Sequence, residues 1–267
     1  MECNVGDIAI FYETCGNGRP IVMLPGRPSD HRIMLRFMEP LFTQRDGWLR
    51  IYPDLPGTGH TPSADRLATH DSMLDTMLAF IDKVIPGQRF VLAGYSYGGY
   101  LARGVIYHKA ALIDGLMLCA PQVKADPAQA HLPPVTTLIK DPALVAEFGP
   151  AADLIVAQRP RIVEAVREVF EEVQIADHAH QARLEAAGPA AFEVASPVPF
   201  NAPTLIMTAR QDQIVGYRAA WDLLDNYPRA TFAVLDLAGH FVPIEQEALC
   251  HALMREWLDR VEEFASA

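Results

Sequence analysis

"VLAGYSYGGYLARGVIYH", residues 91–108, runs from an unbroken apolar segment through Gly94-Tyr95-Ser96-Tyr97-Gly98 into a helical pattern. The apolar run reads as a buried strand and the following spacing as a helix, so residues 94–98 form the turn between them. Glycines two positions either side of Ser96 let the chain turn sharply, where larger side chains would collide with neighbouring backbone. Ser96 then stands at the apex in a strained conformation, its oxygen directed away from the sheet. Either the turn holds a hydroxyl by chance or it exists to expose one. The rest of the chain has to decide.

Working outward, short β-type runs alternate with amphipathic helical stretches. Strands are predicted at Ile8–Tyr12, Ile21–Leu24, Leu49–Tyr52, Phe90–Ala93, Leu116–Cys119, Thr204–Thr208 and Phe232–Leu235. Most are uniformly apolar, as strands covered on both faces are. Helices are predicted near Asp30–Phe42, His70–Val84, Gly98–His108, Val215–Asn226 and Glu245–Phe264. This alternation gives an α/β class with a mostly parallel central sheet flanked by helices.

One region departs from it. Between about Gln122 and Phe200 only helix signals occur: Asp141-Pro142 as an N-cap and first-turn proline, a helix opened by Pro160, and Gly188 as a stop after the next helix. The expectation is a core of residues 1–121 and 201–267 with a helical cap, 122–200, inserted over one edge of the sheet. Prolines 197, 199 and 203 stiffen the return to the core.

Composition narrows the partners. A net charge of −11 argues against nucleic acid or an anionic membrane, which need clustered Lys and Arg. The opening "MECNVGDIAIFYE" turns polar at once, so no secretory leader is expected. The longest uncharged run, Val194–Ala209, is broken by three prolines and is shorter than the roughly 20 residues a spanning helix needs. Four cysteines lack metal-like spacing, and a cytoplasmic location is the expectation.

A serine needs a base, and the base needs an orienting carboxylate. Of nine histidines, His240 follows the last strand in "LDLAGHFVPIEQ", with Gly239 permitting close approach. His31, His70, His108 and His251 fall on helix patterns and His131, His178 and His180 in the cap, and these read as solvated or packed imidazoles. Asp212 follows the strand Thr204–Thr208, Asp236 is too near His240 in sequence, and Asp126 is a distant substitute. "GTGH" at 57–60 lacks the Walker lysine and reads as a turn, and His178 and His180 diverge on a helix rather than sharing a metal.

The order Ser96, Asp212, His240, each beyond a strand's C-terminal end, resembles the α/β-hydrolase family over about residues 8–264. "VMLPGRPSDH" is similar to the segment that supplies half of that family's oxyanion hole. The resemblance implies backbone N–H donors at Arg27 and Tyr97, with Pro25 where the family commonly has histidine. "YPDLPGTGHTP" resembles the family's tight loop after the next strand, and Glu245 matches a glutamate often found after the histidine, read here as a residue at a helix start.

The chemistry implied is hydrolysis of a small or medium, partly hydrophobic carboxylic ester or lactone through an acyl-enzyme, with no metal or organic cofactor. Tyr95, Leu138 and Phe148 are the expected substrate-binding residues, the last two from an apolar roof of Leu132, Val135, Leu138, Ile139, Leu144, Phe148, Leu154 and Ile155. The Arg27 side chain is expected to point to solvent. Perhydrolysis or haloperoxidation, acyl transfer to an alcohol, C–C hydrolysis and hydroxynitrile cleavage run on the same fold and triad. A non-catalytic ligand receptor is the rival of another class.

Overall fold

A computed structural model describes residues 1–195 and 199–266. Eight strands form one sheet: β1 (Glu2–Val5), β2 (Ile8–Cys15), β3 (Arg19–Leu24), β4 (Trp48–Pro53), β5 (Phe90–Tyr95), β6 (Ile113–Cys119), β7 (Thr204–Ala209) and β8 (Ala230–Leu235). Their spatial order is β1-β2-β4-β3-β5-β6-β7-β8. The pairs β1–β2 and β2–β4 are antiparallel, and β4–β3–β5–β6–β7–β8 are all parallel.

The helices before the insertion are α1 (His31–Met38), α2 (His70–Val84) and α3 (Tyr97–Lys109). Between β6 and β7 come α4 (Pro142–Phe148), α5 (Pro160–Glu172), α6 (His178–Glu185) and α7 (Ala191–Val194). After β7 and β8 follow α8 (Arg218–Trp221), α9 (Val242–Glu245) and α10 (Glu247–Ser266). No helix among the described residues is long and apolar enough to cross a membrane.

The period-two alternation of each strand divides the core into two layers. Val22, Leu24, Phe90, Leu92, Leu116 and Leu118 face a layer built with Met77 and Phe80 of α2 and Leu101 and Val105 of α3. Their neighbours Ile21, Met23, Val91, Ala93, Met117 and Cys119 face the other, with Ile33 and Phe37 of α1 and Met254, Trp257 and Leu258 of α10. Burial on both faces explains why these strands are uniformly apolar.

Several elements differ from expectation for local reasons. β1 is an additional strand, short and polar at the sheet edge, turning into β2 through Gly6-Asp7 with Gly6 at φ +62°. α1 ends at Met38, because Pro40 has no N–H to continue it, and a 3₁₀ turn takes over at Glu39–Leu41. The helix expected from Val215 begins only at Arg218, after Gly216 at φ +68°. Inside the insertion Asp141 caps α4 with Pro142 in its first turn, and Pro160 opens α5, as the sequence indicates. Pro197 lies outside the described residues.

Candidate active site

Ser96 leaves β5 and caps α3 with φ +52° and ψ −117°, a left-handed conformation that L-residues rarely adopt. The flanking glycines make it possible. A Cβ at Gly94 would stand 2.4 Å from the Gly98 carbonyl oxygen, and one at Gly98 would stand 2.1 Å from that of Leu24. Both obstacles are backbone, so neither can swing aside. The apex is held by the Ser96 N–H donating to the Cys119 carbonyl, while the Ser96 carbonyl accepts from Gly99, Tyr100 and Gln122.

The three residues picked from the sequence converge. His240 Nε2 lies 3.0 Å from Ser96 Oγ, and His240 Nδ1 lies 3.0 Å from Asp212 Oδ2. Asp212 is fully buried, and its other oxygen accepts the backbone N–H groups of Ile214 and Val215 at 2.9 and 3.0 Å. That fixes the carboxylate so that one oxygen faces the imidazole. Asp126 is engaged elsewhere, accepting from the Ala128 backbone and the Gln129 side chain. Asp236 accepts from Gln211.

The segment after β3 reaches the same spot. A Cβ on Gly26 would lie 2.8 Å from Ser96 Cβ, so only glycine lets this loop pass over the serine. The approach carries Arg27 to the cleft, and Tyr97 opens α3, where the first N–H groups have no partner within the helix.

The cleft beside Ser96 has a volume of about 420 Å³. Arg27, Tyr97, Gln122, Lys124, Gln181 and Glu185 supply its polar lining, and Val123, Ala125, Ala130, Ile214 and Val215 the apolar part. His178 joins them from the start of α6.

Three expected binding residues are placed elsewhere. Tyr95 is buried behind the triad: its ring packs 5.3 Å from the imidazole and its hydroxyl donates to the His240 carbonyl at 3.0 Å. As the residue before the apex it points back to the core, and Tyr97 after the apex faces the cleft. Leu138 is 48% exposed, and Phe148 packs on Phe170 under the Arg167 guanidinium. None of the expected roof residues lines the cleft: Leu132, Val135, Leu138 and Ile139 are exposed and Phe148 packs on α5, while the apolar lining from the insertion is Val123, Ala125 and Ala130. Arg27 also departs from expectation, since its side chain turns inward. Its guanidinium lies 4.4 Å over the Tyr97 ring and donates to the Gln181 carbonyl and amide oxygens.

Sequence reasoning missed the supporting role of two residues, one of them Glu245, which it read as a residue at a helix start. Glu245 ends α9, buried, and its oxygens accept the Gly239 N–H at 2.6 Å and the Val156 N–H at 2.7 Å. It thus ties the backbone beside His240 to the insertion. Burial pushes its carboxyl up to about 7, against the pull of those backbone donors. Because the folded value lies above the unfolded one, the group's stabilising contribution is complete in acid and is lost as pH rises through about 7. Relative to Glu245→Gln, wild-type stability is expected to fall by about 2–3 kcal/mol between pH 5 and pH 8, read by denaturant titration at each pH. Asp54 is the second support. It accepts from the backbones of His31 and His60 and from the His31 ring, joining the loops after β3 and β4.

Among the described residues, Asp30, His31 and Asp54 form one group with metal-ligand atoms within 4.8 Å of one another. Its acceptors are already committed, Asp30 to Arg32 and Asp54 to the donors above.

Comparison with known proteins agrees with this architecture. Residues 21–252 match the model of the alpha/beta hydrolase family. The chain is 25% identical to the AB hydrolase superfamily protein YisY of Bacillus subtilis (strain 168), over 94% of this chain and 95% of that protein. It is similar to an alpha/beta superfamily hydrolase from Oenococcus oeni PSU-1, with TM-score 0.88, 26% identity, and 98% and 99% of the two chains covered. It also shares the fold of a thermophilic esterase from Thermogutta terrifontis solved with malate bound, with TM-score 0.71, 24% identity, and 95% and 94% covered. A parallel sheet with its turn serine after β5, matched over most of its length by that family's model, places this chain in the alpha/beta hydrolase family.

Proposed function

We propose that the protein is a serine hydrolase of small or medium carboxylic esters or lactones. The observation that carries this reading is the unbroken path Ser96 Oγ–His240 Nε2–His240 Nδ1–Asp212 Oδ2, with both contacts at 3.0 Å.

In the proposed reaction, His240 takes the Ser96 proton as the oxygen bonds to the substrate carbonyl carbon. The oxygen of that carbonyl becomes an oxyanion facing the Arg27 and Tyr97 N–H groups, and each such donor contributes about 3 kcal/mol in related sites. Collapse breaks the ester C–O bond, and the leaving oxygen takes the proton from His240. Water then loses a proton to His240 as it attacks the acyl group, and that proton returns to Ser96 as the acid departs. Asp212 holds the tautomer with the proton on Nδ1 and stabilises the charged imidazole. Residues 122–200 act as a cap that narrows access to the serine.

A fluorophosphonate probe followed by peptide mapping tests the nucleophile. Labelling is expected at Ser96 and is expected to vanish in His240→Ala, which retains the hydroxyl but has no base. Equal labelling of both proteins, or none of either, sinks the proposal. Tight ligand binding without labelling would favour a receptor.

A further inference from the structure

Arg27 is a cation that makes no ion pair in the cleft: Glu185, the carboxylate on the same lining, acts on it only from beyond contact. Its partners there, the Gln181 carbonyl and amide oxygens at 3.2 and 3.3 Å and the Tyr97 ring, are neutral, so they orient the guanidinium without neutralising it. Its Nε is buried with no hydrogen-bond partner. Among the described residues no carboxylate lies within 4.0 Å of it, whereas Arg32, Arg36, Arg45 and Arg50 all pair with acids.

A buried donor left unmade is unfavourable, and one that borders a cleft can be satisfied by a ligand. The charged side chains on the described lining are two cations, Arg27 and Lys124, and one carboxylate. The Lys124 ammonium is no closer than 3.8 Å to Glu193, and the carboxylate is the exposed Glu185. A cationic recess in a chain of net charge −11 draws anions to one place on an otherwise repelling surface.

We infer that the cleft selects esters or lactones bearing a free carboxylate, which Arg27 reads through the edge of its guanidinium. A planar carboxylate matches that edge with two parallel hydrogen bonds. A dianionic phosphate fits less well, because it would face Glu185 with one fixed cation. The Arg27 backbone lies beside Ser96 while its side chain lines the recess, so the reacting carbonyl and the free carboxylate belong to one short chain. A monoester of a short dicarboxylic acid has that form. Water cleaves its ester C–O bond to give the dicarboxylate and an alcohol. The inference rests on the ester-hydrolase reading above.

Methyl hydrogen glutarate against dimethyl glutarate isolates the charge, with turnover followed by release of methanol. Wild-type kcat/KM is expected to favour the acid monoester by about tenfold to a hundredfold, mostly through KM. Added salt narrows the preference, Arg27→Gln removes it and Arg27→Lys keeps part of it. In Ser96→Ala, glutarate is expected to bind by calorimetry and dimethyl glutarate far more weakly, a readout that stands even if Arg27→Gln does not fold. Equal wild-type turnover of the two esters overturns the inference, as does a preference that survives Arg27→Gln. If the probe labels Ser96 while the neutral ester is preferred, the inference falls and the hydrolase reading stands. Absence of labelling removes both.

Discussion

Ser96→Ala is expected to lower ester turnover by on the order of 10⁵-fold while the protein stays folded. The substitution deletes one oxygen. Alanine keeps the Cβ, so the backbone at φ +52° is neither relieved nor further strained, and the hydrogen bonds that hold the apex are all main-chain. His240 loses one side-chain partner next to a cleft open to solvent. Thermal melting is therefore expected to shift little. His240→Ala should cost about as much activity as Ser96→Ala, and the double variant no more than either, because nucleophile and base act as one unit. A Ser96→Ala protein that melts normally and hydrolyses esters within tenfold of wild type would remove the serine from the mechanism.

Asp212→Asn is the second large effect, about 10⁴-fold in kcat, and its cause is a tautomer. One Asp212 oxygen accepts the Ile214 and Val215 N–H groups, which fixes an asparagine carbonyl in that place. The asparagine NH₂ then faces His240 Nδ1 and makes it an acceptor. The imidazole proton moves to Nε2, which points at Ser96, and the base is lost with its geometry intact. Activity should return partly at high pH if hydroxide substitutes for the missing base. Full activity of Asp212→Asn at neutral pH would mean that another acid serves. Asp126 is the alternative by sequence, but it is committed to Ala128 and Gln129.

Most of the parallel sheet was legible because its strands are buried on both faces, so each appears as an apolar run such as Phe90–Ala93 or Leu116–Cys119. β1 was not, since Glu2–Val5 is half-solvated, polar and four residues long. The Gly6-Asp7 pair between Val5 and Ile8 was the available signal, a two-residue hairpin turn. Ser96, Asp212 and His240 could be found because each follows a strand, and a loop beyond a strand end has few places to go.

The cleft was harder to read. Leu138 and Phe148 are apolar, but whether a helix in the insertion turns its apolar face to a pocket, to another helix or to water depends on docking angles that periodicity does not carry. Arg27 was read as solvent-directed for a related reason. Gln181, its neutral anchor, is 154 residues away in the chain, and no local pattern joins the two. Glu245 resembled an ordinary helix residue because its partners, Gly239 and Val156, are backbone groups that leave no mark in composition.

The segment between β6 and β7 is fastened along its length, to α1 through Arg36, to α3 through Tyr100, and near two strands of the sheet. Near β4, Asp177 and Gln181 bond to the Gly57 carbonyl and Ser63 bonds to Asp177; near β8, Glu245 grips Val156. These strands stand on either side of β5 in the sheet, so the span is pinned like a bridge deck rather than hung like a door. Lifting it would break these bonds together with those to α1 and α3. The cleft beside Ser96 is thereby walled by two parts of a segment pinned in place, residues 122–130 on one side and α6 on the other.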